Sequence, residues 1–427
     1  MASHTFLKLS IAFSLAFFSS SLFAGTEVEA APGYTVVQDR AETPLLSPSF
    51  KERKTFKMRL ENGLQVYLIS DPNAEQSAGV LVVETGSWEE PKEHPGLAHF
   101  LEHMLFLGTE KFPDEGGYHR FISQHGGVDN AFTINDATAY VFSVNNDALA
   151  GALDPFSSFF KEPLFNPSGV SRELNAIDQE YAKNIENDSF RLQHVLKKVA
   201  RPDHPESGFH MGNSKSLANT TPNDLRQWYK KNYSANIMKL MIYSSLPLDE
   251  LKQLVVEHFS DIPNNERKPF SIDAPIFQDN ASANIIYIEP FQNERTMAIV
   301  WEMPTKFAHM KDSRPDKVVC NIVGDEGKTS LLAQLRRENL ATSLSCGTLP
   351  LSRNHKLYYI EIGLTEEGLK KYTTVVERVY QTFALLRQEG VPESLFQEAQ
   401  KQDLLDYQFQ ERRTAFKEAM YHAMNLP

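Results

Sequence analysis

The residues His99-Phe100-Leu101-Glu102-His103 have types and a spacing that suit a metal centre. On a helix, His99 and His103 stand one turn apart on one face, so both imidazoles can reach a single ion. Glu102 is turned by about 100° from its neighbour. It then sits beside such an ion, where it can hold a water and take its proton. Zinc suits this donor set: it accepts histidine nitrogen, has no redox chemistry and polarises carbonyl groups. The order H-x-x-E-H is the inverted form of a metal-and-base motif. The bland alternative is a helix that merely exposes two histidines.

Two histidines leave a third protein ligand to be found. The stretch Ser171-Arg172-Glu173-Leu174-Asn175-Ala176-Ile177-Asp178-Gln179-Glu180 offers two carboxylates. Glu173 and Glu180 share a helical face, about 10.5 Å apart along the axis. One can ligate while the other hydrogen-bonds a ligand imidazole. A solvated acidic stripe is the alternative. His94, His119 and His125 lie near the pentad but beside turn signals, and they read as solvent-facing rather than as ligands.

The elements that position these residues follow from periodicity. Asn62-Gly63 between β-prone runs predicts a hairpin over 57–60 and 64–69. The run 78–85 reads as a strand, 97–107 as the pentad helix, 139–144 as a strand, and 148–160 and 175–201 as helices. Helices 222–233 and 248–259 flank a strand at 236–244. A polar stretch with Pro263, Pro269 and Pro275 breaks the pattern, which then restarts. Strands are expected at 283–288, 296–302 and 356–363, with helices at 317–323, 330–338, 369–389 and 392–425. The class is α+β, in two halves of similar grammar. The expected division is an extended lead-in over 25–52, a zinc-binding domain over 53–265, a linker over 266–282 and a second domain over 283–427.

Composition excludes other classes. A chain of 427 residues, 41% hydrophobic and 23% charged, is an ordinary globular protein with room for two domains. Its net charge of −12 makes it a poor partner for nucleic acids and anionic membranes. Cys320 and Cys346 are too few for a disulfide framework or a four-thiolate metal site; they can pair or stay free. Residues 1–24 read as a secretory signal, with Lys8, an apolar run over 11–18 and Ala24 at the cleavage point. The run is too short to serve as a stable membrane anchor. The mature chain is therefore expected to be exported, to a periplasm or a secreted setting.

Several segments together resemble the pitrilysin/insulin-degrading enzyme family. They are His99-Phe100-Leu101-Glu102-His103-Met104-Leu105-Phe106-Leu107-Gly108-Thr109, Asn130-Ala131-Phe132-Thr133, and Arg172 through Glu180. Lys183-Asn184, Gly324-Asp325-Glu326-Gly327 and Leu364-Thr365-Glu366-Glu367-Gly368-Leu369 extend the likeness over nearly the whole chain after the signal. The resemblance implies a zinc metalloendopeptidase built from mitochondrial-processing-peptidase-like domains, each a mostly antiparallel sheet packed with helices. It implies His99, His103 and Glu180 as ligands of one zinc ion. It makes Glu102 the general base and Glu173 a second catalytic carboxylate that supports the site. Asn130, Ala131 and Phe132 match the substrate-holding segment, and 78–85 the edge strand to which a peptide would add. Family enzymes carry four such domains, and this chain matches the first and most of the second, which would be inactive. The implied partners are peptide substrates and either a separate second half or a second copy of the chain. A catalytically weak, truncated relative that only captures peptides or serves as a partner subunit is the alternative.

Overall fold

Strands β1 (Glu27–Ala31), β2 (Tyr34–Val37), β3 (Lys54–Leu60), β4 (Gln65–Ser70), β5 (Gln76–Val83), β6 (Val128–Thr133), β7 (Thr138–Asn145) and β8 (Met238–Ser244) form one eight-stranded sheet. The computed structural model describes residues 27–38, 43–277, 285–290, 294–308, 310 and 313–425, so the expected signal lies outside the described residues. The strand order is β1-β2-β3-β4-β8-β5-β7-β6. Only the β4–β8 pair is parallel; every other pairing is antiparallel. The β3–β4 hairpin turns where Asn62-Gly63 directs it. Gly63 adopts a φ of +89°, and the Asn62 side chain accepts the Leu64 N–H at 3.1 Å.

One face of this sheet carries the main core. Leu81, Tyr140, Phe142 and Leu240 pack there against Phe100, Leu101 and Met104 of the helix Leu97–Leu105. The apolar side chains of this helix are thus buried, and His99 and His103 are left on the other side. The opposite face of the sheet is covered by the chain's last described helix, Ala415–Asn425. Ala415, Ala419 and Ala423 recur every fourth residue, and their small side chains let the helix lie close on Val80, Val82 and Met241. The expected division counted this helix with the second domain. Its apolar face instead covers the first sheet, fixed by a buried ion pair from Arg53 to Glu418 at 2.8 Å, and just ahead of the helix the part-buried Arg412 pairs with Asp71 at 3.2 Å.

A second sheet, order β10-β11-β9, combines β9 (Thr296–Glu302), β10 (Ala341–Pro350) and β11 (Lys356–Leu364). Ile360, Ile362 and Leu344 pack on Val375, Val379 and Leu335 of its helices. A Cys320–Cys346 disulfide ties the helix Pro315–Val323 to β10. Both halves therefore show a sheet covered by helices, in a mixed α and β architecture.

Several sequence expectations change. The run 78–85 is not an edge: β5 pairs with β7 on one side and β8 on the other. The edge strand is β6, which its polar sequence Val-Asp-Asn-Ala-Phe-Thr had concealed. The helix expected over 175–201 begins earlier, at Pro167, and breaks into Pro167–Asn184 and Asp188–Val199. Asn187 causes the break by capping the second helix, accepting the Phe190 N–H. The final helical stretch likewise divides into Glu393–Gln408 and Ala415–Asn425. Of the strand expected at 283–288, residues 285–288 are irregular and the rest lies outside the described residues. The lead-in is more than an extended arm, because 27–37 adds two strands to the sheet.

Candidate metal centre

His99 and His103 project from the helix Leu97–Leu105 toward Glu180 on the helix Pro167–Asn184. Their Nε2 atoms are 3.2 Å apart, and Glu180 Oε2 lies 3.5 Å from one and 3.7 Å from the other. Donors about 2.0–2.1 Å from a tetrahedral zinc would sit about 3.3 Å from one another, close to what these three atoms show. No other group of three such side chains converges among the described residues.

The hydrogen bonds behind the ligands decide how the imidazoles face. His99 Nδ1 lies 2.7 Å from the Met211 carbonyl, and His103 Nδ1 lies 2.9 Å from Glu173 Oε2. Both partners only accept, so each Nδ1 carries the proton and each Nε2 presents a lone pair. Two lone pairs 3.2 Å apart repel unless a cation or a proton lies between them. The residues therefore fit zinc. Without an ion a proton takes that place: burial works against a charge on His103, yet Glu173 and Glu180 outweigh it and lift its pKa to about 9. His103 in turn lowers Glu180, against the opposing effect of burial.

Glu102 stands apart from the three ligands. Its side chain is directed into the cleft wall, with the residue 6% exposed. Burial raises its carboxyl above the ordinary range, opposed by the neighbouring imidazoles and a hydrogen bond from Thr133. A carboxyl tuned upward holds a proton more readily, which suits a group that takes and returns one. Glu173 also lines the cleft. It acts through His103, as the carboxylate that fixes the ring.

All these groups line one open cleft of about 820 Å³. Asn130, Ala131 and Phe132 lie on edge strand β6 along its wall. Ile276, Leu349, Leu351 and Leu357 face them from the other side. His94, His119 and His125 are not part of the cluster; they bond Thr220, Asp129 and the Phe121 carbonyl. Reading the sequence missed Met211, whose contribution is a backbone carbonyl and leaves no side-chain signal. It also gave Thr133 no role, although the residue follows the substrate segment directly.

The family model described as Insulinase (Peptidase family M16) matches residues 65–203. The one described as Peptidase M16 inactive domain matches residues 219–402. This chain belongs to the insulinase family, M16. The A-factor-processing enzyme of Saccharomyces cerevisiae is 37% identical over 363 residues, covering 83% of this chain and 35% of that M16 relative. Insulin-degrading enzyme of Drosophila melanogaster is 37% identical over 375 residues, 86% of this chain and 38% of the relative. The crystal structure of pitrilysin matches with a TM-score of 0.85 and 30% identity, over 92% of this chain and 42% of that one. The chain thus spans about two fifths of the length of these M16 proteins. The second M16 match begins at residue 219, ahead of β8, so it includes a strand of the first sheet.

Proposed function

We propose that the chain is the zinc-holding half of a metalloendopeptidase that hydrolyses extended peptides and small unfolded proteins. The observation that carries this reading is the convergence of His99, His103 and Glu180 beside Glu102 in a cleft bordered by a free strand edge. Zinc, one ion per chain, would supply a Lewis acid that polarises the scissile carbonyl and acidifies a water. His99 and His103 hold the ion through Nε2, because Met211 and Glu173 fix their Nδ1 protons. Glu180 adds a carboxylate oxygen. Glu102 accepts the proton of the attacking water and delivers it to the leaving amine. The backbone of β6 pairs with an extended peptide, which favours unfolded substrates over side-chain motifs.

The length relation to these proteins leads us to propose that full activity draws on a second half, whether in the same polypeptide, in a separate chain or in a second copy. We also propose export, supported by the signal-like residues 1–24 and by the Cys320–Cys346 disulfide, which suits an oxidising compartment. Among the described residues no helix is long and apolar enough to cross a membrane.

The test is an assay of the purified chain on a quenched peptide, with chelator and with Glu102→Gln as controls. Turnover that depends on zinc and is lost in Glu102→Gln supports the reading. Turnover that chelator and Glu102→Gln leave intact overturns it. Zinc binding with turnover only after a second half is added favours the split form.

A further inference from the structure

Edge strand β6 ends at Thr133, and the Thr133 hydroxyl donates to Glu102 Oε2 at 2.6 Å. Among the described residues this is the one hydrogen bond made by the Glu102 carboxylate. The distance is that of a well-formed O–H···O hydrogen bond. The other charged groups near Glu102, the His99 and His103 imidazoles and the Glu180 carboxylate, make no hydrogen bond to its oxygens. A carboxylate with rotatable χ angles and no fixed partner would sample several directions in the cleft.

We propose that Thr133 is a positioning residue: it locks the Glu102 carboxylate so that the oxygen it does not hold faces the attacking water. This rests on the peptidase reading above. It also links two functions of one strand. The backbone of β6 up to Phe132 is open to a peptide, while the next side chain on the same strand orients the base. A peptide that pairs along β6 therefore settles the strand that holds Glu102, and docking and base alignment become one event. The strand register itself does not depend on the hydroxyl, because Thr133 pairs with Thr138 through the backbone.

That separation makes the role testable. Thr133→Val keeps the β-branched shape and loses the donor, whereas Thr133→Ser keeps the donor. Two readouts are taken on the zinc-loaded full chain: kinetics on a quenched peptide, and affinity for a peptide hydroxamate by calorimetry. The hydroxamate binds the metal and hydrogen-bonds the neighbouring base, so its affinity reports base position without turnover. Expected for Thr133→Val are a 10- to 100-fold fall in kcat, KM within twofold, zinc content unchanged and hydroxamate affinity down about tenfold. Thr133→Ser should restore both within about threefold. Hydroxamate affinity and kcat within twofold of the parent in Thr133→Val would overturn the proposal, as would a serine variant no better than the valine one. If the parent chain binds zinc and hydroxamate but cleaves nothing, the peptidase reading of the lone chain fails. The hydroxamate affinities of the two variants still decide the role of Thr133.

Discussion

Glu173 shows how a residue can matter to the site without touching a substrate. Its carboxylate holds the proton on His103 Nδ1, and through that proton it aims the Nε2 lone pair. Glu173→Gln keeps the size but can turn its amide donor toward the ring and disturb the tautomer. Zinc affinity should fall 10- to 100-fold, measured by competition with a chelator, with the fold unchanged by circular dichroism. An affinity within twofold of the parent would show that Met211 and the helix suffice to orient the pair. Glu102→Gln should behave in the opposite way, keeping its zinc and losing turnover. The ligands and the base were legible because helical spacing places side chains on a face. Met211 was not, because its contribution is a carbonyl brought in by a loop more than a hundred residues away.

At the scale of elements, strongly periodic helices such as Leu248–Phe259 and strands rich in β-branched residues such as β9 were legible almost to the residue. What was not legible is tertiary. β6 is a polar strand whose character comes from its place at the sheet edge beside the cleft. The helix Ala415–Asn425 carries no sequence mark that it returns to the first sheet. Its docking has a pH signature. Burial opposes a charge on Glu418, yet His422, Arg53 and Arg413 hold its carboxyl at about 2, below its ordinary 4.5. The folded pKa is depressed, so this stabilisation is complete above about pH 4.5 and is lost as pH falls toward 2. Its size is about 3 kcal/mol. Urea midpoints at pH 7 should place Glu418→Gln well below the parent, with the gap narrowing by pH 3. An equal gap at both values would contradict the assignment. The disulfide acts on another element. Closing a 26-residue separation should stabilise the second sheet by about 3 kcal/mol, read as a lower urea midpoint after reduction or in Cys346→Ser.

The whole molecule is acidic, with a net charge of −12, and its cleft adds Asp129 to the metal-site carboxylates, while Glu206 there is paired with Lys197. Such a surface should attract cationic peptides and slow anionic ones. Of two peptides with the same cleavage sequence and opposite flanking charges, the basic one should show a kcat/KM several-fold higher at low salt. The ratio should approach one in 1 M salt, where the screening length is about 3 Å. A ratio that ignores salt would place the preference in specific contacts instead. The two halves meet beside the cleft, where Arg353 pairs with Glu84 and Asp136, and Leu349, Leu351 and Leu357 of the second sheet region line the cleft itself. A peptide lying on β6 would thus touch both.

The proposed chemistry needs three side chains, His99, His103 and Glu180, to share one zinc ion. X-ray absorption at the zinc edge of the purified chain, with metal content measured on the same sample, tests this most directly. The expected result is one zinc per chain with a shell of nitrogen and oxygen atoms at about 2.0 Å, imidazole scattering from two rings, and loss of the metal in His103→Ala. A sulfur shell, a single imidazole, or full zinc content in His103→Ala would contradict it.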